Sequence, residues 1–147
     1  YNIQGVGSSS VNPIGGYTYL PAYFGSTAPI VFNGYQEAVV NTLTTPLSST
    51  ISIQVIGFCT GSSKTAGQMY SSAVTQLASQ GISPNSQGSF PAKTGVTYTY
   101  SFYTIKSDEL LIAQENNHVV VIIVKGGAGN PAFSASNVLQ VLNYLPT

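Results

Sequence analysis

Apolar and polar positions alternate most regularly from the middle of the chain onward. Ile51, Ile53 and Val55 alternate with Ser52 and Gln54 and run into Gly57-Phe58-Cys59, the period-two pattern of a half-buried strand. Gly61-Ser62-Ser63 breaks it. Beyond the break, Ala66, Met69, Ala73 and Leu77 recur at helical spacing, and Tyr70 and Val74 widen that stripe. Thr65 and Gln68 fit a capping box and Gly81 fits a helix-ending glycine, so the pattern predicts a helix over about 65–80. Residues 83–93, containing Pro84, Asn85, Gly88 and Pro91, read as a loop.

A meander follows. Tyr98, Tyr100 and Phe102 share one face of a strand, with Thr97, Thr99 and Ser101 on the other. Lys106-Ser107-Asp108 turns the chain, residues 110–114 form a second strand, and Asn116-Asn117 makes a tight turn. Residues 119–125 are apolar on both faces, which predicts a central strand. Gly126, Gly127, Gly129 and Pro131 then lead to a last helix over about 134–145. Its stripe is Val138, Leu142 and Leu145, flanked by Leu139 and Val141; Ser134 or Ser136 caps it and Pro146 stops it.

The N-terminal region is less regular. Tyr17-Thr18-Tyr19-Leu20 is strand-like, but Pro13, Pro21 and Pro29 confine its surroundings to an edge, a loop or an arm. Ile30-Val31-Phe32 ends at Asn33-Gly34, a hairpin-turn signal, with residues 35–44 as the returning strand. The expected organisation is an extended Gly/Ser/Tyr-rich arm over 1–26 and a single α+β domain over 27–147. In that domain a mainly antiparallel sheet carries both helices packed on one face.

Composition changes what such a domain can do. Only 5% of the 147 residues are charged, four lysines and four carboxylates, against about 25% in an ordinary soluble domain. The first charge, Glu37, follows 36 uncharged residues. With so few cations, phosphate neutralisation cannot drive binding, so nucleic acid is not an expected partner. No apolar run is long enough for a membrane span. The start at Tyr1, with no basic segment before it, is the expectation for a secreted chain whose signal has been removed. The composition resembles that of surface and filament proteins secreted by thermoacidophilic archaea, which are similarly poor in charge and rich in Ser, Thr, Asn and Tyr. The resemblance implies an extracellular, acid-stable structural protein. In acid its carboxylates become neutral, giving a net charge of only about +5 below about pH 3, too little to unfold the chain by self-repulsion.

Candidate chemistry is sparse. Gly127-Ala128-Gly129-Asn130-Pro131-Ala132 imitates a dinucleotide fingerprint, but Pro131 removes a donor from the turn and no carboxylate follows Glu115. Gly61-Ser62-Ser63-Lys64-Thr65 imitates a phosphate loop with its lysine misplaced. Glu115 and His118 have metal-ligand spacing only on a helix, and they flank a turn; His118 reads as a solvated turn residue. One histidine and one cysteine cannot build a closed zinc site. Nucleophilic catalysis needs Cys59 beside His118, or a serine with His118 and an acid, whereas Cys59 closes an apolar strand as a small buried thiol does. Of the carboxylates, Glu37, Asp108, Glu109 and Glu115, the adjacent Asp108 and Glu109 read as surface residues at a turn. Gathering Cys59, His118 and a carboxylate in one cleft is the observation that would overturn the non-catalytic expectation.

The expectation is therefore a non-enzymatic extracellular subunit of a homopolymeric surface assembly, with no cofactor and no metal. It would be held by strand addition from the N-terminal arm, with Ile3, Val6, Tyr17, Tyr19, Tyr23 and Phe24 as interface residues. The alternative is a secreted monomeric domain that binds a small molecule or glycan on the Tyr98, Tyr100 and Phe102 face. A small acid-tolerant extracellular hydrolase is a remote third.

Overall fold

The structure, a computed structural model, describes residues 8–11, 17–18, 31–32, 35–43 and 51–144. Its strands are Ser8–Val11 (β1), Tyr17–Thr18 (β2), Val31–Phe32 (β3), Tyr35–Leu43 (β4), Ser52–Thr60 (β5), Ser86–Pro91 (β6), Thr97–Ile105 (β7), Asp108–Glu115 (β8) and His118–Lys125 (β9). The α-helices are Ser63–Ser79 (α1) and Ala135–Leu139 (α2), the latter continued by 3-10 turns over Gln140–Tyr144. Seven strands form one sheet in the order β1-β4-β5-β9-β8-β7-β6, and β2 pairs with β3 separately. Every pairing is antiparallel. The α+β class expected from the pattern is what the chain adopts.

Alternation in the central strands explains the layering. On one face Val119, Val121 and Ile123 of β9 join Leu110 and Ile112 of β8 and Ile56 and Phe58 of β5. Ala66, Met69, Ala73 and Leu77 of α1 cover them. On the other face Val120, Ile122 and Val124 join Leu111, Ala113 and Val55, under Phe133, Val138, Leu139 and Leu142 of the C-terminal segment. The two helical segments thus lie on opposite faces of the sheet, not on one. The reason is physical: β8 and β9 are apolar on both faces, and each apolar face must be taken from water by its own cover.

The first helix begins earlier than its pattern suggests. Ser62 is the cap, its Oγ accepting the Thr65 amide at 3.1 Å, in place of a box built on Thr65 and Gln68. It ends as expected at Gly81, where φ is 78°. There the Ile82 amide donates to Leu77 O and the Gly81 amide to Ala78 O, each at 3.0 Å. This is the double-bonded terminus that a left-handed glycine permits. From the end of β5 the chain crosses under the sheet through α1 and re-enters at the far edge as β6. That strand occupies part of the segment read as a loop. It lacks period-two apolar residues because it is an edge, with Phe90 half-buried and Gln87, Gly88 and Ser89 exposed.

The Asn33-Gly34 signal also resolves differently. β3 pairs with β2, and β4 joins the large sheet between β1 and β5. Strands β3 and β4 therefore belong to two different sheets, and Asn33 and Gly34 themselves lie outside the described residues. In the last helix Ser134 occupies the cap position without a side-chain cap bond, while Asn130 Oδ1 accepts the Ala132 amide at 3.0 Å and caps the preceding 3-10 turn. Leu145 and Pro146 lie outside the described residues.

Candidate functional site

Antiparallel register places directly opposed residues on the same face of a sheet. Cys59 of β5 is opposite His118 of β9, and His118 is opposite Glu115 of β8. Tyr98 of β7 stands one rung beyond the Thr99–Gln114 pair, at the level of Glu115. Alternation along each strand puts all four on the face covered by the C-terminal segment, where Tyr98 is packed. Glu37 of β4 takes the register position opposite Cys59, after an irregularity between Tyr35 and Glu37. The sole cysteine and the sole histidine of the chain thus share a cross-strand row with a carboxylate.

Local structure holds the row in place. The two-residue turn closing β8 on β9 has Asn116 at a φ of 47°, and Asn117 ties that turn to the end of β5. Its carbonyl accepts from Thr60 N at 2.9 Å and from Thr60 Oγ1 at 3.0 Å. Its Nδ2 donates to Thr60 O at 3.1 Å and to Cys59 Sγ at 3.7 Å. The Nδ1–H of His118 donates to Glu115 Oε2 at 3.3 Å, with side-chain exposures of 16% and 10%. Cys59 is partly exposed. The Tyr98 hydroxyl is pushed up to about 12, first by burial and then by the charge of Glu115. His118 is therefore an oriented strand residue and not a solvated turn residue. Glu115 and His118 converge because a two-residue turn makes positions i and i+3 cross-strand neighbours.

The second pair of acids is not on the surface. Asp108 is 3% exposed and Glu109 5%. Asp108 Oδ1 accepts the Gly126 amide at 2.8 Å. Glu109 Oε1 has no hydrogen-bond partner among the described residues, and burial raises this carboxyl to about 7. The glycine-rich segment after β9 roofs it. A Cβ on Gly127 would collide with Val124 Cγ1 and lie 3.2 Å from Glu109 Oε1, so glycine is what fits without a shift. The amides of that segment are committed internally: Ala128 N donates to Ser107 O at 3.1 Å and Asn130 N to Gly127 O at 3.1 Å. A phosphate cradle is not what these residues build.

The aromatic face belongs to the core. Tyr98 is 1% exposed and Phe102 4%, leaving only Tyr100 half-buried, its hydroxyl 3.3 Å from Ser86 Oγ. Between the sheet and the C-terminal segment lies an apolar cavity of about 140 Å³ lined by Ile53, Ile122, Val124, Phe133, Val138 and Val141 among others. That is below the roughly 300–1,000 Å³ of ordinary ligand pockets. Among the described residues no group of three His, Cys, Asp or Glu could hold a metal ion. No described helix is long and apolar enough to cross a membrane.

Of the six interface residues expected in the arm, Tyr17 opens β2, and Ile3, Val6, Tyr19, Tyr23 and Phe24 lie outside the described residues. The arm contributes β1, which pairs with β4 through Ser8↔Asn41 to Val11↔Ala38 and forms one edge of the sheet. The other edge is β6. Neither edge carries a charged residue: β1 is Ser-Ser-Ser-Val and β6 is Ser-Gln-Gly-Ser-Phe-Pro. No protein-family model matches the chain, and no curated protein matches it significantly.

Proposed function

We propose that the protein is an extracellular structural subunit that assembles with copies of itself by sheet-edge addition, the β1 edge and N-terminal arm of one copy lying against β6 of the next. The observation that carries this reading is the pair of uncharged edges. Sheets that must stay monomeric guard their edges with lysines, inward charges or covering elements. Proline is another such guard, and among the described residues Pro91, at the end of β6, is the one residue of either edge strand of that kind. Joining opposite edges is a heterologous contact, which propagates into a fibre wherever successive rotations do not close a ring. The near absence of charge fits the same role, because backbone pairing and neutral side chains hold such a contact with little help from ions. The tyrosines and Phe24 of the arm supply contact area of the kind common at interfaces.

Electron microscopy and size-exclusion chromatography test the proposal on three proteins: the full chain, a chain lacking residues 1–26, and Ser89→Lys. Ser89 is exposed on β6, so the lysine charges the edge without entering the core. The expected result is fibres or a ladder of oligomers from the full chain alone. A full chain that stays monomeric overturns the proposal, as does undiminished assembly of the two altered proteins.

A further inference from the structure

Register and bonding parity fix which backbone groups each edge strand turns outward. Along an antiparallel strand, successive residues bond alternately to one neighbour and to the other. On β6, Ala92 N donates to Val96 O at 2.8 Å, one rung beyond the Pro91–Thr97 pair. Phe90 and Gly88 therefore also bond to β7, and Gln87, Ser89 and Pro91 turn their backbones away from it. Before them the edge is interrupted, because Asn85 N donates to Phe102 O at 2.8 Å and Asn85 Oδ1 accepts Thr104 N at 2.7 Å. After them, Pro91 lacks the N–H that its outward place calls for. The open edge is thus short: Gln87 and Ser89, both exposed, each with a donor and an acceptor. At the other end of the sheet, Thr60 N donates to Asn117 O on the β9 side of β5. Gly57 and Val55 therefore bond to Val39 and Asn41 of β4. Val40 and Ala38 in turn bond to Ser9 and Val11 of β1, and Ser8 and Ser10 face outward.

We propose that in the edge-to-edge assembly described above, on which this joint depends, β1 of the incoming copy lies antiparallel to β6, with Ser10 against Gln87 and Ser8 against Ser89. In that register each outward residue exchanges both of its backbone bonds with one partner, so both rungs close with no donor or acceptor left over. A parallel strand instead bonds each outward residue to two successive outward residues of β6. In either parallel register that engages both serines, one of them overhangs Gln87 and Ser89. It then meets the interrupted start at Asn85, or Pro91, which has no N–H to give. The joint also sets how successive copies are related. Directions alternate across the seven strands, so β1 and β6 of one copy run the same way. An antiparallel joint therefore turns each added copy over. Apart from the twist of the sheet itself, α1 comes to lie on alternate sides in successive copies.

Disulfide trapping in assembled material tests the register, with Cys59→Ser in every chain so that only the placed thiols react. The expected pairs are Ser10→Cys with Gln87→Cys, and Ser8→Cys with Ser89→Cys. A parallel joint instead brings together Ser9→Cys with Gln87→Cys, and Val11→Cys with Ser89→Cys. The members of each pair sit on opposite edges of one copy, so the bond forms between copies. Mild oxidation of fibres should give a ladder at least about tenfold stronger from the first two pairs than from the last two, because directly opposed residues share a face and lie within disulfide reach. Cryo-electron microscopy of native fibres should show α1 alternating between sides, a readout that stands even where a cysteine variant does not assemble. Fibres that ladder through the parallel pairs, or through none, overturn the antiparallel joint and leave edge addition standing. Fibres with α1 always on one side do the same. Dimers trapped between a Gln87→Cys chain and a Ser89→Cys chain show two β6 edges joined and overturn the joint and the assembly together, as does a native chain that forms no fibres.

Discussion

Glu109 makes stability depend on pH in an unusual direction. Burial raises its carboxyl from an ordinary 4.5 to about 7, so the folded protein keeps a proton that the unfolded chain releases between those values. The folded state binds more protons across this window, and stability falls as pH rises through it. The stabilisation is complete below about pH 4.5 and lost by about pH 7, a difference of about 3 kcal/mol. Thermal melts should therefore give a higher Tm at pH 4 than at pH 8. Glu109→Gln should flatten that difference while leaving the pH 4 value nearly unchanged. A wild-type curve that instead declines towards pH 4 would contradict this account. Little of this is legible in the chain, because Asp108 and Glu109 beside a turn look like surface residues until the Gly126 amide is seen to hold Asp108 and Gly127 to close over Glu109. Glu115 and His118 were readable in part: a two-residue Asn-Asn turn already makes them face each other, once helical spacing is not the only test applied. Their meeting with Cys59 was not, because it depends on the long-range pairing of β5 with β9.

Elements with strong periodicity were readable, and those governed by tertiary context were not. α1 followed from its stripe of Ala66, Met69, Ala73 and Leu77, and the same stripe decides its energetics. Leu77 is 1% exposed, so Leu77→Ala should cost about 2–5 kcal/mol. Ser62→Ala removes one cap bond and should cost about 1 kcal/mol. Urea titrations with unchanged slope measure both, and equal losses would contradict the assignment of core to one and cap to the other. β6 carries no such signal because an edge strand needs no alternating apolar residues; β7 recruits it by backbone bonds. The side of the sheet taken by the C-terminal segment was implicit in the pattern of β9. A strand apolar on both faces needs two covers, and only two helices were on offer.

At the scale of the molecule, both faces of the sheet are covered and both end strands, β1 and β6, are uncharged, which is why the edges are the proposed route to self-association. Since the proposed contact is backbone pairing between uncharged strands, raising salt from about 0.05 to about 1 M should not dissolve the assembly, because there is little charge to screen. Light scattering across that range checks it, and dissolution in high salt would point to ion pairs between subunits. The strand order has a consequence of another kind. β9 is the last strand among the described residues, yet it sits between β5 and β8. Until it arrives, the sheet exists as two unjoined pieces, one from each half of the chain, and neither has its inner margin filled. Such distant pairing makes for slow folding, and during synthesis the keystone emerges only after β5, β6, β7 and β8. The growing polypeptide therefore stays open until β9 is out, and any step that must thread it through a narrow passage before then meets a chain that has not yet locked.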